Sequence, residues 1–303
     1  MAALPPVVSV GNLAMGGRGK TPVVAYLAKS LVAGGERPAI LSRGYGRRRV
    51  EDGVVVVSDG EHLLADVDRA GDEPLMLART VPGAIVLVCE QRATAAALAS
   101  RTLGATILLL DDGFQHRAMR RDLDLVIVSS ADLGARRLPF GPLREGPGAL
   151  RRAHGIVIDG EMSAADRSRL PVPSFVLKRK LGSPISLEPR DAAPASGSTV
   201  VALAAIAQPE RFKKSLESQG WGVAKTLAFR DHHRFSPGDI ATVVAAVRET
   251  QASAVLTTEK DAIRLLSFRP LPVPIAAVPL DVSFDPPRTF DDWFASRLQE
   301  FRR

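Results

Sequence analysis

The sequence predicts an α/β fold in which a mostly parallel sheet is flanked by helices and is followed by a second, smaller α/β domain. Short apolar runs alternate with helix-like stretches over the first 160 residues. These runs are continuously apolar and rich in Val, Ile and Leu, which is typical of parallel strands buried on both faces. A Pro-, Gly- and Ser-rich stretch at 182–198 interrupts the alternation, which then resumes.

The first part of the chain carries the larger set of strands. A helix predicted at 21–32 is closed by Gly34 and Gly35, and a second helix is predicted at 91–100. Strands that alternate with helices in this way predict a doubly wound sheet. The candidate strands are 7–10, 39–42, 54–58, 84–89, 106–110, 125–128 and 156–158.

The second part repeats the pattern on a smaller scale. Strands are predicted at 200–206, 223–229 and 254–257, with helices at 210–219, after Ser236-Pro237 and from Glu259. Segment 273–282 is predicted as an edge strand because its prolines cannot donate to a ladder, and 285–301 as a terminal helix. We therefore expect a first domain over 1–172, a connecting strand and linker over 173–198, and a smaller domain over 199–303, whose terminal helix could pack back on the first.

Composition excludes several classes of protein. The chain has 303 residues, 46% of them hydrophobic, which is too apolar for a disordered chain. It has no apolar run long enough for a spanning helix, and its single cysteine excludes an intramolecular disulfide and a cysteine-cluster metal site. These features predict a cytosolic compartment, including a membrane surface that faces the cytosol.

The net charge of +7 is carried mainly by arginine, with 32 Arg against 8 Lys. Two explanations are open: an arginine-biased genome, or a surface that attracts anionic partners such as anionic lipid or a phosphorylated substrate. Aromatic residues make up only 5% of the chain and do not interleave with the basic stretches. This disfavours a stacking platform for nucleic acid, so no nucleic-acid partner is expected.

A glycine-rich loop with a lysine follows the first predicted strand. Residues 9–21 read SVGNLAMGGRGKT, between a strand and a helix, which is the context of a phosphate-binding loop. Glycines let the backbone amides turn toward a phosphate, and the helix N-terminus adds partial positive charge. In this arrangement Lys20 reaches the β- and γ-phosphates and Thr21 ligates Mg²⁺. Ala14 stands where the simplest form of the motif has glycine; the alternative is a glycine-rich turn with an incidental lysine.

A pair of acids closes a later apolar strand. The segment ATILLLDDGFQH ends in Asp111 and Asp112. Open α/β sheets bind ligands at the carboxyl ends of their strands, where nucleotide-binding loop proteins place a metal-coordinating acid. An Asp-Asp-Gly turn is the alternative.

Together the two motifs resemble the tetraacyldisaccharide 4′-kinase family, the lipid A 4′-kinases of Gram-negative bacteria. The resemblance covers residues from about 7 to 266. Further segments occur in the same order as in that family: SRGYGR at 42–47, GDEP at 71–74, LPFGPLRE at 138–145, ALRRA at 149–153, AIAQPERF ending at Phe212, DHHRF at 231–235 and TEKDAIRL at 258–265.

The resemblance implies an ATP- and Mg²⁺-dependent kinase that phosphorylates the 4′-hydroxyl of an acylated glucosamine disaccharide 1-phosphate. It also implies a nucleotide-binding domain joined to a smaller α/β domain by a two-stranded connection, for which 175–180 and 273–282 are the candidates. The implied location is cytoplasmic, peripheral on the inner membrane and in contact with its anionic surface. No obligate protein partner is evident.

Site residues follow from the resemblance one motif at a time. In the glycine-rich loop, Asn12, Gly16, Gly17, Arg18 and Gly19 are expected to bind the nucleotide together with Lys20 and Thr21. Asp72 matches the proposed general base, and His232 matches the histidine that would orient it, with His233 as the second choice. Asp111 and Asp112 match the metal-site and active-site acids, and Lys20 and Asp112 are also assigned to catalysis. Gln115, His116, Arg144 and Glu145 are expected on the substrate side.

Each of these roles has a structural alternative. Asp72 could cap a helix, His232 could be a surface histidine, and Arg144 with Glu145 could form a solvated ion pair. Arg92 opens a predicted helix and is a candidate for a substrate phosphate, although a surface arginine is equally compatible with the sequence. For the whole chain, a different phosphate-loop enzyme acting on a small phosphorylated or carboxylated substrate, or a non-catalytic nucleotide-binding module, remains open.

Overall fold

A computed structural model of the chain describes residues 4–16 and 19–301. The chain divides into two compact units. The first holds the chain up to Arg179 together with the C-terminal segment from Val282, and the second is Lys180–Asp281.

The elements in chain order alternate between strands and helices, as expected from the apolar runs. Through the first unit they are β1 Val7–Asn12, α1 Lys20–Ala33, β2 Pro38–Ser42, β3 Val55–Asp59, α2 Val67–Ala70, α3 Asp72–Thr80, β4 Ile85–Val88, α4 Arg92–Arg101, β5 Ile107–Asp111, β6 Leu123–Val128, α5 Ser130–Gly134, a 3₁₀ turn Pro147–Arg152, β7 Gly155–Asp159, α6 Ala164–Ser168 and β8 Ser174–Leu181. They continue with β9 Ile185–Ser186, β10 Thr199–Ala204, α7 Pro209–Ser218, β11 Gly222–Ala228, α8 Pro237–Thr250, β12 Ala254–Thr258, α9 Glu259–Leu265, a 3₁₀ turn Leu266–Phe268, β13 Ile275–Val278, β14 Leu280–Asp285 and α10 Thr289–Glu300.

The first unit is built on a nine-stranded sheet of the described residues, in the order β14-β8-β7-β6-β1-β5-β2-β4-β3. Neighbouring strands from β8 to β4 in that order run parallel, and β3 at the edge runs antiparallel to β4. The predicted α/β class with a mostly parallel sheet is therefore confirmed.

Burial on both faces explains the continuously apolar strands. On one side Leu108 and Leu110 of β5 pack with Ala95 and Ala99 of α4. The same face carries Val126 of β6, which packs with residues of β7 and of the loops that follow β1 and β5. Leu109 of β5 and Ile127 of β6 face the other side and are fully buried as well. Because consecutive residues of a strand face opposite sides, both sets of positions must be apolar.

The sheet order places a crevice at the end of β1. Strand β1 lies between β5 and β6, and the chain fills one side of it with β2 to β5 before crossing to the other side with β6 to β8. Doubly wound sheets bind ligands where the strand order reverses in this way, outside the carboxyl ends of the strands. Asn12 ends β1 and Asp111 ends β5 at this point.

The second unit has its own five-stranded sheet within the described residues, in the order β11-β10-β12-β13-β9. Strands β10 to β13 are parallel, and β9 pairs antiparallel with β13. The prediction of a single edge strand over 273–282 is wrong, because Pro279 separates β13 from β14 and β9, inside the predicted linker, covers the free side of β13. The chain passes between the units in β8 and in β14, which are neighbours in the first sheet.

Helix α10 belongs to the first unit and begins at Thr289, four residues later than predicted, since β14 extends to Asp285. Its Phe290 is buried and stacks on Phe284 with ring centroids 3.7 Å apart. Tyr26 of α1 donates a 2.7 Å hydrogen bond to Asp291. These contacts fix the C-terminal helix against α1.

Among the described residues, no helix combines the length and apolar character needed to cross a bilayer.

Candidate active site

The described part of the loop after β1 contains two glycines with positive φ, a conformation found in phosphate-binding loops. Gly16 and Gly19 adopt φ values of 94° and 76°, which residues other than glycine rarely adopt. Gly19 directly precedes α1, so Lys20 and Thr21 lie in its first turn. Gly17 and Arg18, also expected to bind the nucleotide, lie outside the described residues.

Lys20 is oriented by groups at the ends of two strands. Its Nζ lies 3.3 Å from Oδ1 of Asn12 and 3.6 Å from Oδ1 of Asp112. Asn12 is fully buried at the end of β1. The three predicted residues are therefore brought together, and the lysine ammonium is held at the mouth of the loop.

Asp112 is held by Arg144. The guanidinium donates from Nη1 to Oδ2 at 3.0 Å and from Nη2 to Oδ1 at 2.8 Å, and Nη2 also contacts Oδ1 of Asn12. Burial opposes ionisation of Asp112, but the hydrogen bonds from Arg144 and the charge of Lys20 outweigh it and lower its pKa. Asp112 is therefore an ionised acid held in one position, and Arg144 pairs with it and not with Glu145.

Asp111 lies in a different environment from its neighbour. Its side chain is buried at the end of β5, and its Oδ1 has no hydrogen-bond partner. Burial, and then the charge of Glu73, raise its pKa to about 7, against the opposing effect of Lys20. The left-handed backbone of Asp112, with φ 57°, turns the second acid away from the extended path of the strand.

Glu145 and Gln115 form a second layer beside Asn12. Gln115 Nε2 donates to the carbonyl oxygen of Asn12 at 2.9 Å and to Glu145 Oε1 at 3.3 Å. Arg152 pairs with Glu145 at 2.9 Å and lies over the ring of Phe114, 4.6 Å from its centroid. Sequence reasoning missed Arg152 and Phe114, although both lie in segments that resembled the family.

Buried polar atoms without partners concentrate around this network. They include Asn12 Nδ2, Asp111 Oδ1, Gln115 Oε1, Arg144 Nε and Arg152 Nε. Native structures pair nearly all such groups, so a cluster of unpaired ones indicates a place where a polar ligand completes the hydrogen bonding.

Arg92 is buried, with 1% of its surface exposed, so the alternative of a surface arginine is wrong. Its Nη1 donates to the carbonyl oxygen of Cys89 at 2.6 Å. Burial and the neighbouring charge of Arg43 lower its pKa to about 10.

His116 is half-buried, and burial together with the charges of Arg92 and Arg43 lowers its pKa as well. The substrate roles of both residues stay predictions.

Asp72 opens α3 after Gly71, whose φ is 85°. A Cβ on Gly71 would lie 3.1 Å from the carbonyl oxygen of Tyr45, so glycine permits a close approach to the SRGYGR segment. The contribution of Glu73 to the pKa of Asp111 shows that the first turn of α3 lies within electrostatic range of the acidic strand end.

His232 lies in the second unit, with a left-handed φ of 59°. Its Nε2 is 3.0 Å from Lys260 Nζ, its Nδ1 is 3.3 Å from Arg264 Nη2, and Asp231 is 3.9 Å away. Lys260 and Arg264 received no role from the sequence, although TEKDAIRL was among the resembling segments. Asp72 belongs to the first unit, and its pairing with His232 stays a prediction.

The described residues contain no group of three or more His, Cys, Asp and Glu side chains that could hold a metal by themselves. A Mg²⁺ ion bound with a nucleotide does not need such a group of protein ligands. It is coordinated by one or two protein oxygens, by phosphates of the substrate and by water. The partnerless carboxylate oxygen of Asp111 and the hydroxyl of Thr21 have the chemistry of such a site.

Comparison with known proteins identifies one family. The family model described as tetraacyldisaccharide-1-P 4′-kinase matches residues 2–299. A tetraacyldisaccharide 4′-kinase of Anaeromyxobacter sp. (strain Fw109-5) is 42% identical over 301 residues, covering 91% of this chain and 78% of that protein. One from Syntrophus aciditrophicus is 37% identical over 307 residues, covering 94% and 82%.

A solved structure agrees with the sequence matches. The crystal structure of LpxK from Aquifex aeolicus in complex with ATP superimposes with a TM-score of 0.78 at 30% sequence identity. The match covers 98% of this chain and 88% of that chain. The resemblance found in the sequence motifs is thereby confirmed.

Proposed function

The chain belongs to the tetraacyldisaccharide-1-P 4′-kinase family, and we propose that it transfers the γ-phosphate of ATP to the 4′-hydroxyl of tetraacyldisaccharide 1-phosphate. It is a phosphotransferase of lipid A biosynthesis, which is favoured over another phosphate-loop enzyme because the family match spans nearly the whole chain. The observation that carries the site assignment is the network of Lys20, Asp112, Arg144 and Asn12 at the strand-order reversal.

The loop residues bind and orient the triphosphate. Lys20 places a positive charge where negative charge accumulates on the β- and γ-phosphates during transfer, and the amides at the start of α1 add hydrogen-bond donors. Asn12 and Asp112 hold the lysine in place, so little reorganisation is needed when the nucleotide enters. Arg144 Nε remains available to donate a further hydrogen bond, and Gln115 Oε1 remains available to accept one.

We assign the metal role to Asp111 together with Thr21. Asp112 already has its two oxygens engaged by Arg144, whereas Asp111 Oδ1 is buried without a partner. A bound Mg²⁺ would neutralise phosphate charge. It would also favour the ionised form of Asp111, whose pKa of about 7 in the protein alone reflects burial.

Asp72 is proposed as the general base. A carboxylate in the first turn of α3 accepts the proton of the 4′-hydroxyl as that oxygen attacks the γ-phosphorus, and the bond to the β-phosphate oxygen breaks. His232 is proposed to orient Asp72 in the substrate-bound enzyme. Lys260 and Arg264 flank both ring nitrogens of His232 and limit its rotation.

The acylated substrate defines the proposed location. ATP is a cytosolic substrate, whereas the acyl chains of the lipid partition into a bilayer. We therefore place the protein at the cytoplasmic face of the inner membrane as a peripheral enzyme.

A radiolabel transfer assay tests the function. Purified protein, Mg²⁺, [γ-³²P]ATP and tetraacyldisaccharide 1-phosphate in detergent should give a labelled lipid that separates by thin-layer chromatography. Asp72→Ala should abolish most of the label, whereas Asp52→Ala, which changes an exposed carboxylate, should not. Absence of lipid-dependent transfer by the unmodified protein would exclude the function.

A further inference from the structure

We propose that the exposed tip of residues 136–144, the 136–144 loop, is a docking surface for an anionic phospholipid bilayer. Phe140 and Leu138 would enter the interface, and Arg136 and Arg137 would bind lipid phosphates. This proposal rests on the proposed function, because that function has a lipid as its substrate.

The tip exposes large apolar side chains. Phe140 is 82% exposed and Leu138 52%, and Met15, on the neighbouring nucleotide loop, is 59% exposed. Five consecutive residues of the tip, 136–140, are all exposed. Single exposed apolar residues are ordinary, but a contiguous apolar group rimmed by charge indicates an interaction site.

Backbone hydrogen bonds hold the loop that carries these side chains. Leu138 N donates to the carbonyl oxygen of Leu143 at 2.8 Å, and Phe140 N donates to that of Arg137 at 3.0 Å. Leu143 itself is fully buried and bridges to Ala14. The exposure of Phe140 therefore belongs to a defined conformation.

The charge of the tip matches anionic headgroups. Arg136, Arg137 and Arg144 line a cavity of about 450 Å³ together with Leu138 and Phe140. The 136–144 loop contains no Asp or Glu. A guanidinium group can bind two phosphate oxygens at once, and Phe and Leu side chains enter the boundary between lipid headgroups and acyl chains. An anionic phospholipid bilayer supplies phosphates for the arginines and an apolar interior for Phe140 and Leu138 at one surface.

The tip is connected directly to the active site. Met15 N donates to the carbonyl oxygen of Pro142 at 2.8 Å, and Arg144 N donates to that of Leu13 at 2.7 Å. Arg144 then reaches Asp112 with its side chain. A bilayer bound at the tip would therefore lie beside the nucleotide loop and near the lipid substrate.

Vesicle co-sedimentation tests the surface without using activity. The unmodified protein should bind phosphatidylcholine vesicles that contain phosphatidylglycerol, and binding should weaken as salt is raised. Phe140→Ser should reduce the partition coefficient by about tenfold or more, as expected when a large apolar side chain no longer enters the interface. Arg136→Gln with Arg137→Gln should lower binding to the anionic vesicles by about tenfold or more while leaving binding to pure phosphatidylcholine unchanged.

Val50→Ser is the matched control, since Val50 is 69% exposed and lies outside the loop. It should bind vesicles as the unmodified protein does. Equal binding by the Phe140→Ser variant and the unmodified protein, or no binding of the latter to anionic vesicles, would overturn the docking surface. Transfer of phosphate in detergent should be retained by Phe140→Ser, so a failure of transfer by the unmodified protein counts against the proposed function and not against this surface.

Discussion

Replacing Asp111 with asparagine should stabilise the first unit at alkaline pH while removing kinase activity. The carboxylate is buried, one of its oxygens lacks a partner, and its pKa rises from 3.8 to about 7 on folding. Asparagine is close in shape to the protonated acid and carries no charge at any pH. The substitution therefore removes the cost of a buried anion and leaves the packing in place.

The sign and size of the effect follow from proton linkage. Between pH 3.8 and about 7 the folded state binds more protons at Asp111 than the unfolded state does, so this residue makes the protein less stable as pH rises through that window. The difference between the two pKa values corresponds to about 4 kcal/mol at pH 8 and about 2 kcal/mol at pH 5.5. Asp111→Asn should recover these amounts, with the larger gain at pH 8.

Urea unfolding at the two pH values measures this gain. A Trp221→Phe background leaves Trp293 of α10 as the fluorescent reporter of the first unit. Asp52→Asn, at an exposed position, is the control and should leave the free energy of unfolding unchanged. If Asp111→Asn were less stable than its parent at pH 8, or if its advantage did not grow between pH 5.5 and pH 8, the assignment of a destabilised buried carboxylate would be refuted.

Two further substitutions test the site, and a third tests the packing of β1. Asp72→Asn should lower kcat by about 10²- to 10⁴-fold and leave the Kd for ATP unchanged, because the base acts on the acceptor hydroxyl; near-normal turnover would disprove its role. Lys20→Met should weaken ATP binding in a nucleotide titration as well as turnover, and unaltered affinity would contradict the phosphate contact. Gly11→Ala should cost about 1–3 kcal/mol in thermal or urea unfolding, since a Cβ there would lie 2.9 Å from the backbone nitrogen of Phe114 and clash with the main chain of that residue; an unchanged unfolding midpoint would show that the main chain at Phe114 shifts without cost.

The strands and the nucleotide loop could be predicted because their signals are local. Each apolar run is its own evidence for a buried parallel strand, and residues 9–21 carry strand, glycines, lysine and helix in one stretch. The split at Pro279 could not be predicted in the same way. It depends on β13 and β14 joining different sheets, which no local pattern indicates. The pairing of β9, a two-residue strand in the linker, with β13 has no sequence pattern either.

The different environments of the two adjacent acids could be identified only from the structure. Asp111 and Asp112 are equivalent in sequence, but Arg144, more than thirty residues later, engages only Asp112. The left-handed backbone of Asp112 and the burial of Asp111 complete the difference. The burial of Arg92 needed the structure for a similar reason, since its position at a helix start does not show whether its side chain faces the core or solvent.

Correlated ¹H–³¹P NMR of the reaction product tests the central claim most directly. Incubation with ATP and tetraacyldisaccharide 1-phosphate should give a lipid with two phosphorus resonances, and the new one should couple to the proton on C4′. A parallel reaction with [α-³²P]ATP should leave the lipid unlabelled. A new phosphate on any other carbon, or label from the α-position, would contradict γ-phosphoryl transfer to the 4′-hydroxyl.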